Sequence, residues 1–256
     1  MAVTIKNAEQ LDKMRYAGKV LGAALYDLKK MIQPGVNCLD LDKYFIDFIT
    51  KNGCESNFKG YYGFPAHICV SINEQLIHGI PVNRVIKAGD IVKIDAGCSF
   101  QGWHADSAFS VICGDIIDEK YDKLLRVTEK SLCLAIEQVR AGVRIGTITS
   151  TVQTYVESNG FHLPKDYSGH GIGLAMHEDP FVPNTGKKDT GMRLTKNMTI
   201  CIEPMVQIGT DQTVVGADNW TVSAADDSMT AHFEHTILVT DNEPEILTIH
   251  KPMEDK

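Results

Sequence analysis

Four acids stand at the ends or starts of stretches that read as apolar β-strands, and they come in two matched pairs. Residues 91–95, Ile-Val-Lys-Ile-Asp, alternate and end on Asp95. Residues 199–203, Thr-Ile-Cys-Ile-Glu, do the same and end on Glu203. The first run is followed by His104-Ala-Asp106, which opens a strand ending at Val111. The second is followed by His232-Phe-Glu234, which opens a strand ending at Val239. Each copy is preceded by helical sequence. The repeat implies two similar α+β halves built around one shared sheet.

A carboxylate embedded in an apolar strand must be ion-paired or must bind a cation. Across 90–95, 104–112, 199–206 and 232–240 the only Lys or Arg is Lys93. By strand parity Lys93 shares the face of Asp95, so one local ion pair remains open. A turn centred on Phe100-Gln101 pairs Ser99 with Gly102 and sets Asp95 directly opposite Asp106, with Cβ atoms ~5 Å apart. Like charges at that range repel unless a positive charge lies between them. A divalent metal meets that need; two exposed hairpin acids are the competing reading for this pair.

The helices are legible from periodicity. Leu11, Met14, Ala17, Leu21, Leu25 and Leu28 recur at helical spacing and predict a helix over 7–31, stopped by Pro34-Gly35. Further helices are expected over 38–52, 118–140 and 146–159, each ended at or next to a glycine. Strands are expected over 67–73, 91–95, 104–112, 199–207 and 232–240. With no linker-like tract, residues 1–256 are expected to form a single domain.

A second cluster of chemistry lies at Ser168-Gly-His-Gly-Ile-Gly-Leu-Ala-Met-His177-Glu178. Three glycines surround His170 and allow close backbone approach, and His177 follows seven residues on. A lone histidine is more often structural than a ligand; the glycine setting shifts the balance towards function. Four carboxylates and one imidazole balance two divalent cations, and an oxygen-rich set with one nitrogen suits Mn, Fe, Co or Zn. Two such ions ~3.5–4 Å apart can acidify a water between them and drive hydrolysis.

Composition removes other classes. Net charge is −8 and no basic run exceeds a pair such as Lys187-Lys188, which argues against a nucleic-acid partner. No stretch approaches the ~18 apolar residues of a membrane span. Met1–Lys6 lacks the design of a signal peptide, so a cytoplasmic protein is expected. The seven cysteines are scattered with no C-x-x-C pair, so reduced, mostly buried thiols are expected rather than a structural zinc site.

Asp95, Asp106, His170, Glu203 and Glu234, in this order and at these spacings, resemble the five metal ligands of the type I methionine aminopeptidases. The resemblance covers nearly the whole chain. It includes Ser71-Ile-Asn-Glu-Gln-Leu-Ile-His78-Gly-Ile-Pro81, Gly169-His-Gly-Ile-Gly173 with His177-Glu178, Ile202-Glu203-Pro204 and Glu234-His235-Thr236. It implies an α+β pita-bread fold, with two pseudo-symmetric halves sharing a curved antiparallel sheet and helices on the outer face. It implies two divalent metal ions, Co, Mn, Fe or Zn. Asp95 is expected to chelate one metal, Asp106 and Glu234 to bridge both, and His170 and Glu203 to complete the second. Glu203 is expected to relay a proton, His177 to stabilise the tetrahedral intermediate, and His78 to contact substrate and assist the leaving amine. By the same match Tyr61, Phe64, Cys69, Met176 and Trp220, with His78 and His177, form the substrate pocket; packing in an ordinary core is the alternative for the pocket residues.

The resemblance implies a monomer acting on the N-termini of nascent polypeptides with a small second residue, with the ribosome exit region as a candidate partner. Two departures stand out. Many bacterial members carry Tyr-His-Gly-Tyr-Pro where this chain has Tyr61-Tyr62-Gly63-Phe64-Pro65, and the usual Gly-Met is Asn197-Met198 here. An Xaa-Pro aminopeptidase with the same ligands is the nearest rival, although it usually carries an extra N-terminal domain. A binding protein on the same fold and a phosphatase-like two-metal site are further alternatives.

Overall fold

The computed structural model describes residues 3–115 and 118–253. Among the described residues four α-helices form: α1 (Ala8–Met31), α2 (Cys38–Lys51), α3 (Glu119–Ile136) and α4 (Ile145–Ser158), with a 3-10 turn at Tyr61–Gly63. The strands are β1 (Glu55–Ser56), β2 (Ile68–Ile72), β3 (Gln75–Ile77), β4 (Ile91–Phe100), β5 (Trp103–Ile112), β6 (Ser168–Gly171) and β7 (Glu178–Pro183). They continue with β8 (Thr199–Ile202), β9 (Met205–Gln207), β10 (Thr213–Val215), β11 (Val222–Ala224), β12 (Thr230–His232), β13 (Glu234–Leu238) and β14 (Glu245–Ile246). No helix among the described residues is long and apolar enough to cross a membrane.

The start of α1 carries a reciprocal cap. Asn7 accepts from the Gln10 N–H while the Gln10 side chain accepts from the Asn7 N–H. Asn37 and Asp118 cap α2 and α3 by a single side-chain bond each, accepting from the Leu39 and Lys120 N–H groups. The helices expected from periodicity all form; the third ends earlier than 140, at Ile136.

The main sheet runs β1-β4-β5-β13-β8-β6-β7, with β2 also on β4 and β14 on β13. Its pairings are antiparallel. The repeat read from the sequence is built around its centre: β4-β5 of the first half adjoins β13-β8 of the second. Two helices precede each pair along the chain. This is the α+β, two-halved architecture expected.

One face of the sheet carries the helices. Cys98, on β4, points its thiol at the Ala17 carbonyl of α1, 3.5 Å away. Side chains alternate along a strand, so Ile94, Ala96 and Cys98 face the helix while Asp95 and Gly97 face away from it. The main buried cluster joins α1–α4 to these inward residues and to Ile200, Ile202, Ile237 and Val239 of the second half. Glycine is required where α1 crosses the C-terminal segment. A Cβ on Gly18 would lie 2.2 Å from the Leu247 carbonyl oxygen, and one on Gly22 equally close to that of Ile249.

The hairpin register differs from the expectation. The turn residues are Gln101 and Gly102, both at positive φ (51° and 77°), and Phe100 pairs with Trp103. Two consecutive positive φ values make the tight turn whose twist matches the flanking strands, and Gly102 is the residue that tolerates the second. Asp106 is therefore opposite Gly97, and Asp95 is opposite Ala108. The two acids share a face two residues out of step.

The expected strands 199–207 and 232–240 are each broken. Pro204 has no N–H for a ladder. β8 ends at Ile202 and pairs with β13, and β9 pairs with β12 in a separate two-stranded sheet. Asn197 takes the positive φ, 66°, that its place in a Gly-Met position requires. Of the seven cysteines, all are free thiols and all but Cys133 are buried.

Candidate functional site

The face of the sheet opposite the helices lines a cavity of about 460 Å³. All twelve site residues read from the sequence line it: Asp95, Asp106, His170, Glu203 and Glu234, His78 and His177, and Tyr61, Phe64, Cys69, Met176 and Trp220.

Sheet register explains the convergence of the acids. Ala108 on β5 has Asp95 opposite it on β4 and Glu234 opposite it on β13. A methyl group between two carboxylates leaves room for something larger. Asp106 lies two residues back on the same face, opposite Gly97. One carboxylate oxygen from each of Asp95, Asp106 and Glu234 lies within 4.8 Å of the others. Phe233 N donates to the Pro204 carbonyl at 3.4 Å, which continues the β8–β13 register and brings Glu203 level with Glu234. Asn184 fixes the Glu203 backbone by donating to its carbonyl at 2.9 Å.

His170 enters from β6. The glycines around it serve close approach: a Cβ on Gly169 would sit 2.3 Å from the Cys201 oxygen, and one on Gly171 2.2 Å from that of Asp179. His170 Nδ1 lies 2.9 Å from the Gly171 carbonyl, so it carries the proton and Nε2 keeps its lone pair. That Nε2 lies 3.8 Å from Glu203 Oε1. Holding one ring nitrogen on a carbonyl is how proteins aim the other at a metal.

The electrostatics favour a cation. Burial, the repulsion of Asp95 and Glu203, raises the Asp106 carboxyl well above its ordinary range. Burial first, then Asp106, Glu203 and Asp95, does the same to Glu234. Burial pushes Glu203 up to about 8. It pushes Asp95 up to about 7, with His232 working the other way and Glu203 adding to it. Burial, helped by His177, takes His170 down to about 3, so its imidazole is neutral, as a ligand must be. Asp106 Oδ1 and Glu234 Oε1 are buried with no hydrogen-bond partner. Unpaired buried acceptors gathered on one point, beside a neutral imidazole, fit divalent cations.

Lys93 does not neutralise Asp95. Its ammonium, 1% exposed, donates to the carbonyls of Asn73 at 2.7 Å and Thr230 at 3.3 Å. Burial lowers it to about 7.

Beside the acids, Phe58, Phe64, Ala66, Cys69 and Met176 form a separate apolar cluster, with Tyr61 and Trp220 against it. Phe64 meets Trp220 edge-on, centroids 5.1 Å apart. His177 stands over His170, ring centroids 4.2 Å apart, with the Tyr61 hydroxyl 2.9 Å from its Nδ1. Burial, then His104, lowers His177, and burial with His232 and His177 takes His78 to about 4. Tyr62, the departure from the bacterial pattern, is 84% exposed at the mouth. It has φ 47° and meets Tyr61 edge-on.

His232 is a site residue that the sequence reading passed over. It is 1% exposed, its Nε2 is 3.4 Å from Glu203 Oε2, and it groups with Glu203 and Glu234 as a possible ligand set. The His-x-acid echo contained it. Phe58, Ile77, Asp166 and Tyr167 line the cavity unanticipated, since nothing in their local sequence sets them apart, and Ser168, the first residue of the glycine motif, lines it too.

Known proteins point the same way. The model of metallopeptidase family M24 matches residues 12–241. A methionine aminopeptidase of Mycoplasma capricolum is 61% identical over 246 residues, covering 96% of this chain and 98% of that protein. Methionine aminopeptidase 1 of Bacillus subtilis is 44% identical over 96% of this chain and 99% of its own length. The crystal structure of methionine aminopeptidase from Thermotoga maritima superposes with TM-score 0.94 at 43% identity, covering 96% of this chain and 99% of that one. A prolidase from Pyrococcus furiosus shares the fold at TM-score 0.77 and 21% identity. The chain belongs to metallopeptidase family M24, among its methionine aminopeptidases.

Proposed function

We propose that residues 1–256 form one catalytic unit that removes the N-terminal methionine from new polypeptides with a small second residue, using two divalent ions. The observation that carries this reading is the meeting of four carboxylates, Asp106 and Glu234 buried and Asp95 and Glu203 half-buried, and the free Nε2 of His170 beside an apolar, sulfur- and aromatic-lined pocket. Asp95, with Asp106 and Glu234, would hold one ion, and His170 and Glu203, with the same two acids, would hold the other. Co, Mn, Fe and Zn all suit this donor set. Bound there, the ions supply Lewis-acid and water-activating chemistry.

The chain's own groups do the rest. Glu203, half-buried beside His170, would accept the proton of the attacking water and pass it on. His177 donates from Nε2 to the carbonyl oxygen as charge develops there. For this the Tyr61 hydroxyl must donate to Nδ1, which fits a phenol whose ionisation burial and Tyr62 oppose. His78, kept neutral by burial, hydrogen-bonds the substrate and assists the leaving amine. Tyr61, Phe64, Cys69, Met176 and Trp220 receive the thioether side chain, for which polarisable and aromatic surfaces are suited. We place the protein in the cytoplasm as a monomer that meets nascent chains as they emerge at the ribosome exit.

The test is release of the first residue from Met-Ala-Ser, Leu-Ala-Ser and Ala-Pro-Ser by chelator-stripped protein with Mn, Co or Fe restored. Metal-dependent release of methionine alone supports the reading. Cleavage of Ala-Pro-Ser moves it to an Xaa-Pro peptidase, and no cleavage with any metal defeats it.

A further inference from the structure

The segment before α1 reaches across the molecule to the loop that presents Met176 and His177. Val3 bridges to Asp179, and Lys6 N donates to the Asn197 carbonyl at 3.0 Å. The Lys6 side chain is 2% exposed, and its ammonium lies 3.0 Å from Glu178 Oε2, on a side chain 5% exposed. The Thr4 hydroxyl donates to the same oxygen. The other oxygen, Oε1, accepts the backbone N–H groups of Leu174 at 2.8 Å and Ala175 at 3.1 Å. Glu178 thus ties down two successive peptide groups just before Met176 and His177.

The lysine stem crosses the start of this loop. A Cβ on Gly173 would lie 2.5 Å from Lys6 Cε and 2.8 Å from Glu178 Oε1, so the third glycine of the motif makes room for the strap. The Gly173 carbonyl in turn accepts from His104 N at 2.9 Å. Neither Lys6 nor Glu178 lines the cavity. Burial works to raise the Glu178 carboxyl, and donors on Thr4, Lys6 and Ala175 outweigh it. Without the ammonium a buried carboxylate would keep only neutral donors, and the loop it holds would lose its anchor.

We propose that Lys6 is a positioning residue that acts through Glu178 to hold His177 over the carboxylate cluster. The N-terminal segment is then part of the active enzyme, although it never touches substrate. This rests on the reading of His177 given above.

The experiment compares metal-loaded Lys6→Met, Lys6→Arg and Glu178→Gln enzymes in the wild-type and His177→Ala backgrounds. Lys6→Met keeps the stem and removes the charge; Glu178→Gln keeps the shape and serves if Lys6→Met does not fold. A displaced catalytic group costs about 10- to 100-fold in kcat, and Lys6→Arg should recover most of that. Metal content should stay at the wild-type level. In the His177→Ala background the further loss should vanish, because the residue being positioned is gone. An equal loss in both backgrounds overturns the proposal. The imidazole resonances of His177 in the zinc-loaded protein give an independent readout. They should shift in Lys6→Met while those of His235 and His250 stay. Undiminished kcat in His177→Ala alone defeats the catalytic reading of that histidine; unchanged His177 resonances in Lys6→Met defeat the strap.

Discussion

Stripping the metals should cost more stability as pH rises, a direction set by the site's acids. The perturbation is a chelator, and the magnitude follows from linkage. Asp95 is raised from 3.8 to about 7 and Glu203 from 4.5 to about 8 in the metal-free fold, whereas both ionise near their ordinary values when unfolded. Between pH 6.5 and 7.5 the unfolded chain has lost both protons. The fold retains nearly all of that on Glu203 and about half of that on Asp95. Protons bound more tightly by the folded state make stability fall as pH rises, by about 1.4 kcal/mol per proton per pH unit. The two groups together give a loss of roughly 2 kcal/mol over that unit, with Asp106 and Glu234 acting in the same direction. The buried basic groups oppose the acids in the same window. His78, His232 and His235 are lowered to about 4, His170 and His250 to about 3 and Lys93 to about 7, so the unfolded chain binds protons there that the fold refuses. Those contributions are common to the metal-free and metal-loaded folds, so the acids are read from the difference between the two. Denaturant melts from pH 6.5 to 7.5 should show the stability gap between metal-loaded and chelator-treated protein widening as pH rises, by at least about 2 kcal/mol, since the ligands are ionised in the loaded fold. A gap that stays constant or narrows as pH rises would refute the electrostatic account of the site.

Other perturbations separate the parts. His177→Ala should lower kcat by ~10²–10³-fold with metal content unchanged, read by steady-state kinetics on Met-Ala-Ser. Trp220→Ala removes the ring that closes on Phe64; it should raise KM for methionyl peptides more than it lowers kcat, and narrow the preference for Met over Leu. Gly18→Ala forces a methyl towards the Leu247 carbonyl; overpacking of this kind costs about 1–3 kcal/mol, measurable as a lowered denaturant midpoint with kcat intact.

The helices and the acids were legible in the sequence for the same reason. Apolar spacing fixes which face of a helix is buried, and a carboxylate inside an apolar strand is too costly to lack a partner. The two-halved sheet was legible from the His-x-acid repeat. Register was harder to read. Whether Phe100-Gln101 or Gln101-Gly102 centres the turn depends on which residues accept positive φ, and the glycine decides it. The interruption at Pro204 splits two strands at matched points, and only the missing N–H signals it. His232 shows the limit of local reading, since the sheet brings it to Glu203 from the neighbouring strand. Lys6 and Glu178 meet across 172 positions of chain, a pairing that no local pattern encodes.

Calorimetric titration of chelator-stripped protein with Mn tests the central claim most directly. The account predicts two equivalents per chain, with proton release as the raised carboxyls ionise, and fewer than two in Asp106→Asn and Glu234→Gln. An Asp106→Asn protein that still takes up two equivalents, or a wild-type protein that takes up none, would contradict it.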